Sequence, residues 1–174
     1  MLYFKNIRWK NLLSTGNQFT EIQLDKISTT LIVGENGSGK STVLDALCFG
    51  LFSKPFRRIN RPQLINSIND GGLLVEIEFE VGSKFYMVRR GIKKNIFEIF
   101  IDGKRLNQDA KTADQQEYLE KTILKLNYKS FTQIVLLGAN HYIPFMQLKT
   151  TDRRNIIEDL LDIQIFSVMN NLLK

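Results

Sequence analysis

Three consecutive segments constrain this chain more than anything else in it. Thr29-Thr30-Leu31-Ile32-Val33 is a short β-branched, apolar run, which suits a strand covered on both faces. Gly34-Glu35-Asn36-Gly37-Ser38-Gly39-Lys40-Ser41 follows, too rich in glycine to extend a strand or a helix. From Lys40 to Phe52 the spacing turns helical: Val43, Leu44, Leu47 and Leu51 fall on one apolar stripe, and Pro55 stops it. Strand, glycine loop and amphipathic helix in that order call for an α/β construction.

The loop spells G-x-x-x-x-G-K-[ST] in full, in the context that spelling requires. Glycine admits backbone conformations that a Cβ forbids and lets a ligand approach closely. Successive N–H groups from Asn36 to Thr42 then converge as a cradle for anionic oxygens. The helix start adds unpaired N–H groups and the positive end of its dipole. Gly34, Asn36, Gly37, Ser38, Gly39, Lys40, Ser41 and Thr42 are therefore the candidate phosphate-binding residues. Lys40 reaches the β- and γ-phosphates of a nucleoside triphosphate, and the Ser41 hydroxyl ligates Mg²⁺, which makes these two the candidate catalytic residues as well. The competing reading is a glycine-rich turn that binds nothing. A dinucleotide fingerprint fits worse, because Lys-Ser at the helix start belongs to triphosphate sites.

The remaining pattern is strand-rich, then helical. Residues 2–10 and 19–24 read as strands around a turn at Ser14-Thr15-Gly16-Asn17. In 73–81, Leu73, Val75, Ile77, Phe79 and Val81 lie on one face, and Glu76, Glu78 and Glu80 lie on the other as a solvated row. Gly82-Ser83 turns the chain into a strand at 84–90, and Asp102-Gly103 joins 96–101 to 104–106 as a hairpin. A helix over 113–126 opens with the capping-box spelling Thr112-Ala113-Asp114-Gln115, buries Leu119, Ile123 and Leu126, and ends at Asn127. Helices are expected near 129–138 and over 151–174, the latter breaking near Asp162-Ile163.

Composition bounds the partners. Of 174 residues, 43% are hydrophobic and 24% charged, enough for a core and against intrinsic disorder. The net charge of +6 and pI of 9.4 make a polyanionic partner plausible. A single cysteine, Cys48, excludes an internal disulfide, favours a reducing, cytoplasmic compartment and sits in an apolar helix as core. No apolar run is long enough to span a membrane, and the start lacks a signal-peptide pattern. His141, the single histidine, has no companion ligands for zinc.

The stretch Leu31 to Leu47, with Lys10-Asn11-Leu12-Leu13-Ser14 upstream, resembles the N-terminal nucleotide-binding lobe of SMC-like ATPases. Within that family it is similar to the large ATPase subunit of SbcCD-type double-strand-break nucleases. Gly50-Leu51-Phe52-Ser53-Lys54-Pro55-Phe56-Arg57 and Pro144-Phe145-Met146 are similar to the phage recombination-nuclease members. The resemblance implies an ABC-type P-loop head lobe over 1–150, a mixed sheet around the P-loop helix plus an antiparallel meander. Residues 151–174 become a helical segment at the root of an outgoing coiled coil. It also implies that Asn11 and Ser14 lie near ATP, and that a C-terminal lobe of the same protein returns with the Walker B and signature motifs. The present residues hold neither motif, so this stretch is expected to be inactive by itself. A second copy closing an ATP sandwich, a nuclease subunit and double-stranded DNA are the further partners implied. The family's Q-loop glutamine falls on Ala139, with Asn140 as a substitute for contacting Mg²⁺ and Gln133 about two turns early. Rival readings are an SMC-type chromosome-architecture ATPase without a nuclease and a transporter-type cassette.

Two basic clusters could neutralise DNA phosphates: Lys54, Arg57, Arg58 and Arg61, and Arg89, Arg90, Lys93 and Lys94. The competing reading is a solvated rim around a nucleotide pocket or ordinary strand-edge lysines that block edge pairing. Apolar positions in 156–173 read either as core or as a groove for the nuclease subunit.

Overall fold

Period-two alternation builds most of the first half. In the computed structural model, which describes residues 2–27, 29–69, 71–93, 95–106, 112–136, 143–161 and 163–173, six strands form one sheet. They are β1 (Leu2–Lys10), β2 (Thr20–Gln23), β3 (Leu74–Val81), β4 (Lys84–Gly91), β5 (Phe97–Ile101) and β6 (Lys104–Arg105). The order is β2-β1-β3-β4-β5-β6 and every pairing is antiparallel. The β5–β6 turn puts Asp102 at φ 48° and Gly103 at φ 77°, the pair of positive angles that a twisted two-residue hairpin turn requires.

One face of this sheet carries α1 (Thr42–Phe52). Ile7, Trp9, Val75, Ile77, Phe79, Val88 and Ile99 are buried with Ala46, Phe49 and Leu51. The helix is buried almost all round, more than the single stripe predicted. Gly50 marks the point of closest approach: a Cβ there would sit 3.1 Å from Val75 Cγ1 and nearer still to Ile77. At the helix end, the Arg90 guanidinium reaches from β4 to donate to the carbonyls of Gly50 (2.8 Å) and Leu51 (3.4 Å). It also lies 3.7 Å from the centroid of the Phe97 ring. α1 has no basic residue in its own last turn, so β4 supplies the cation that its C-terminal carbonyls favour.

The other face corrects an expectation. Glu76 is not solvated: it is 5% exposed and ion-paired to Arg8 and, at 2.8 Å, to Arg89. The register sets Glu21 beside Arg8, Arg8 beside Glu76, Glu76 beside Arg89 and Arg89 beside Glu98. Arg105 then reaches Glu98 at 3.1 Å. Acid and base thus alternate across all six strands. The row buries Glu76 because both neighbouring strands place a guanidinium over it, which compensates the desolvation of its charge.

The run 29–33 is a second correction. It joins no strand, and Leu31 and Val33 are 84% and 80% exposed. An apolar strand persists only where neighbours take up its backbone groups, and no strand among the described residues lies beside it. The sheet is therefore antiparallel throughout, with α1 on it, rather than mixed.

Contacts divide the chain into two units, Met1–Gln115 and Gln116–Lys174. α2 (Thr112–Tyr118) leads into the second and continues as a π-helical stretch, Leu119–Leu124. The wider turn changes the buried set from the expected Leu126 to Leu124, beside Leu119 and Ile123. Lys125, at φ 53°, ends it. Asn127 does not terminate that helix. It opens the next, α3 (Tyr128–Ile134), its side chain accepting from Ser130 N at 2.9 Å. α4 (Thr150–Leu161) and α5 (Gln164–Leu172) follow, separated where the break was expected. Asp159 of α4 is buried and accepts from Asn127 Nδ2 and Ser130 Oγ, which ties α4 to the start of α3.

Candidate functional site

The glycine loop takes the shape its spelling requires. Gly37 and Gly39 hold φ of 87° and 92°, angles that leave the loop's amides free to face a common centre. Ser38 N donates to Glu35 O and Thr42 N to Gly39 O as the loop turns into α1. Ser41 caps α1 without a side-chain hydrogen bond, so its exposed hydroxyl remains uncommitted at the helix start. The Lys40 ammonium folds back over the loop and donates to the carbonyls of Gly34 (2.7 Å) and Glu35 (2.6 Å).

A cavity of about 410 Å³ opens here, lined by Asn36, Gly37, Gly39, Lys40, Ser41 and Thr42 from the loop. Leu13 and Ser14 close it from the turn after β1. Arg57 closes the remaining side. Two cations, helix-start amides and an oxygen ligand around one space suit a phosphate chain with a divalent cation.

Arg57, read in sequence as a DNA cation or as part of a rim around a nucleotide pocket, takes the second of these places. It stands at the phosphate cavity, held by Asp45, which lies fully buried on α1. Asp45 Oδ1 accepts from the amides of Phe56 and Arg57, each at 3.1 Å, and Oδ2 accepts from Arg57 Nε at 2.7 Å. The signal was present: an acid on an otherwise apolar helix must find donors when it is buried. Its charge also reinforces the effect of burial on Cys48, whose thiol is pushed well above the usual range, chiefly by desolvation.

Other expected residues do not gather at this site. Asn11 is buried with φ 53°, its amide bonds to Asn17, Gly72 and Asn69, and it is not among the residues that line the phosphate cavity. Arg90 is 3% exposed and anchors α1, so it does not face a DNA backbone. Arg89 is ion-paired to Glu76 and Glu98. Arg58 and Lys93 are exposed. Lys94, Ala139, Asn140 and His141 lie outside the described residues. In the second unit, Ile157, Ile163 and Phe166 line a groove of about 530 Å³ between α4 and α5.

A family model described as an AAA domain matches residues 6–173. The chain belongs to the AAA domain family. It is 48% identical over 168 residues to Exonuclease subunit 2 of Escherichia phage RB69 and to that of Enterobacteria phage T4, alignments that cover 97% of this chain and 30% of each relative. It is 29% identical to the DNA double-strand break repair Rad50 ATPase of Thermoplasma acidophilum, over 97% of this chain and 19% of that protein. It is also 29% identical to the C subunit of the SbcCD nuclease of Pseudomonas aeruginosa, over 94% of this chain and 16% of that protein. The chain thus spans less than a third of the length of these relatives. The Smc head domain with coiled coil and joint from Pyrococcus yayanosii superposes with a TM-score of 0.69 at 22% identity, over 98% of this chain and 34% of that one. That likeness establishes the fold, an α/β head lobe of SMC type.

Proposed function

We propose that this AAA domain is the Mg-ATP-binding N-terminal lobe of a cytoplasmic DNA-repair and recombination ATPase that gates a nuclease acting on double-stranded DNA ends. The observation that carries the reading is the phosphate cavity: two positive-φ glycines, the Lys40 ammonium, the uncommitted Ser41 hydroxyl and Arg57 face one space. The cradle would be lost to a Cβ at Gly37 or Gly39, which fits a tightly held phosphate chain. Ser41 would hold a Mg²⁺, which would supply positive charge to offset that of the phosphate chain. Lys40 exchanges its two carbonyl partners for phosphate oxygens, and Arg57, oriented by Asp45, adds a second cation.

The exposed run 29–33 supports a C-terminal lobe of the same protein as neighbour: an apolar segment leading straight into the phosphate loop gains most from strands on either side. Walker B and signature residues would come from that lobe and from a second copy closing over the nucleotide. The phage exonuclease, Rad50 and SbcC names favour the nuclease-linked role over chromosome architecture or transport. Residues 151–174 would root the coiled coil, and the α4–α5 groove would seat the nuclease subunit. Arg58 and Lys93 are the cations we assign to DNA phosphates.

Calorimetric titration of the full-length protein with Mg-ATP tests the site. Binding by wild type and none detectable for Lys40→Ala is expected; equal affinity would overturn the assignment. Replacing Arg58 and Lys93 by Ala should lower the salt slope of DNA binding by about two, roughly one for each phosphate that is no longer neutralised.

A further inference from the structure

A second cavity, of about 500 Å³, lies where β1 ends, β3 begins and β4 turns toward β5. It shares no lining residue with the phosphate cavity. Its volume falls within the roughly 300–1,000 Å³ of small-ligand sites.

Its polar wall is built from three amides. Asn11 Nδ2 donates to Asn17 Oδ1 at 3.0 Å and to the Gly72 carbonyl at 3.3 Å, and Asn69 Nδ2 donates to Asn11 Oδ1 at 3.2 Å. Those bonds occupy the buried central amide and fix the orientation of its two exposed neighbours. Asn17 is left with its Nδ2 donor, and Asn69 with its Oδ1 acceptor, without a partner among the described residues. Gly71 keeps the wall open: a Cβ there would lie 2.8 Å from Asn11 Nδ2 and force that amide out of place.

Leu74, Ile92 and Ile96 add apolar lining, and Arg89, ion-paired to Glu76 and Glu98, also borders the cavity. Lys10 lines the cavity as well, its ammonium 5.2 Å from the centroid of the Phe19 ring. Lys93 and Asn95, in the adjoining β4–β5 connection, hold φ of 71° and 47°. Non-glycine residues keep such angles where the surrounding structure imposes them.

A free amide donor and a free amide acceptor, apolar lining and the Lys10 cation around one cavity match a base whose edge carries both a donor and an acceptor, with an attached phosphate. We propose that this cavity binds one unpaired nucleotide, its base edge against Asn17 and Asn69 and its phosphate at Lys10, at a site separate from ATP. The choice of nucleotide as ligand rests on the DNA-processing function proposed above. The unit can arrive as the frayed end of a strand or as a free deoxynucleoside monophosphate.

The test uses the full-length protein and hairpin DNA carrying 2-aminopurine as its terminal, unpaired base, with a blunt hairpin holding the same base paired as control. Free 2-aminopurine deoxyriboside monophosphate forms the second arm. Saturable change in emission with the unpaired base, and none with the paired one, is expected. Paired replacement of Asn17 and Asn69 by Leu should weaken the response roughly tenfold or more, the scale of losing a two-point base contact. Lys10→Gln, at a half-buried site where folding is not at stake, should weaken it several-fold and reduce its salt dependence. Tighter binding by the overhang assigns the site to a strand end, and equal binding by the free nucleotide assigns it to a released monomer; both support the site. Lys40→Ala should abolish ATP binding and leave the aminopurine response intact. If Lys40→Ala retains ATP binding, the ATP assignment fails and this one stands. A response lost in Lys40→Ala, or unchanged in both cavity variants, or equal for paired and unpaired base, would overturn the proposal.

Discussion

Arg90 offers a direct contest between two uses of the same cation. In sequence it belongs to a basic cluster facing a nucleic acid; in the fold it is buried and holds the end of α1. Replacing it with Met keeps most of the stem's packing and removes the charge. The 2.8 Å bond to the Gly50 carbonyl is a charged hydrogen bond, worth about 1.5–3 kcal/mol, whereas the 3.4 Å bond to Leu51 is long and adds little. The guanidinium over Phe97, 3.7 Å from the centroid and desolvated, adds about 2 kcal/mol. Neighbouring terms are not additive, and Met recovers some contact, so a loss of about 3 kcal/mol is expected for Arg90→Met. Urea unfolding of the full-length protein, followed by a probe in the first unit, measures it, provided the slope is unchanged. Arg90→Lys should recover less than half, because an ammonium cannot serve a carbonyl and stack on a ring with the same geometry. A loss below about 1 kcal/mol, accompanied by a lower salt slope for DNA, would refute the anchoring role and restore the DNA one.

Four further outcomes follow from named contacts. Gly50→Ala should destabilise the first unit by about 1–3 kcal/mol despite better helix propensity, because the methyl has to displace Val75 and Ile77; a thermal or urea melt shows the sign. Glu76→Gln removes the charge that two arginines cover and should cost about 2–4 kcal/mol, read by the same melt; neutrality would show that the row is decorative. Cys48 should resist thiol reagents at pH 8 until the protein unfolds, since burial first and the nearby Asp45 second hold its thiol protonated; modification at the rate of a free thiol in native protein would contradict its placement. Asp159→Ala should loosen the second unit, seen as faster amide exchange in α3 and α4 with the sheet amides unaffected.

How far the fold could be read depended on whether a segment's partners were local. The β3–β4 and β5–β6 hairpins were legible because Gly82-Ser83 and Asp102-Gly103 set their own turns. The phosphate loop was legible because its chemistry is confined to consecutive residues. The strand expected at 29–33 depended on neighbours that nothing in those five letters specifies. Glu76 looked solvated because alternation says which face a side chain takes, not what covers that face. The surroundings of Arg57 and Asn11 were not legible for a related reason: they are set by Asp45 and by Asn69, and a charge cluster in sequence carries no record of which cations are already engaged. The π-helical turn at Leu119–Leu124 is likewise invisible to a reading that assumes one helical period throughout.

The alternating charges across the sheet bear on how reliably the platform under the phosphate loop assembles. Sliding β4 by two residues against β3 would preserve which side chains face the core, so hydrophobic matching alone barely opposes that error. It would, however, set Glu76 opposite Met87 or Gly91 instead of Arg89. Glu76 would keep Arg8 from β1 but lose Arg89, and a buried carboxylate with half its compensation disfavours the misaligned hairpin. The row therefore acts as a register lock: beyond stabilising the finished sheet, it penalises near-miss alignments that hydrophobic matching alone would tolerate.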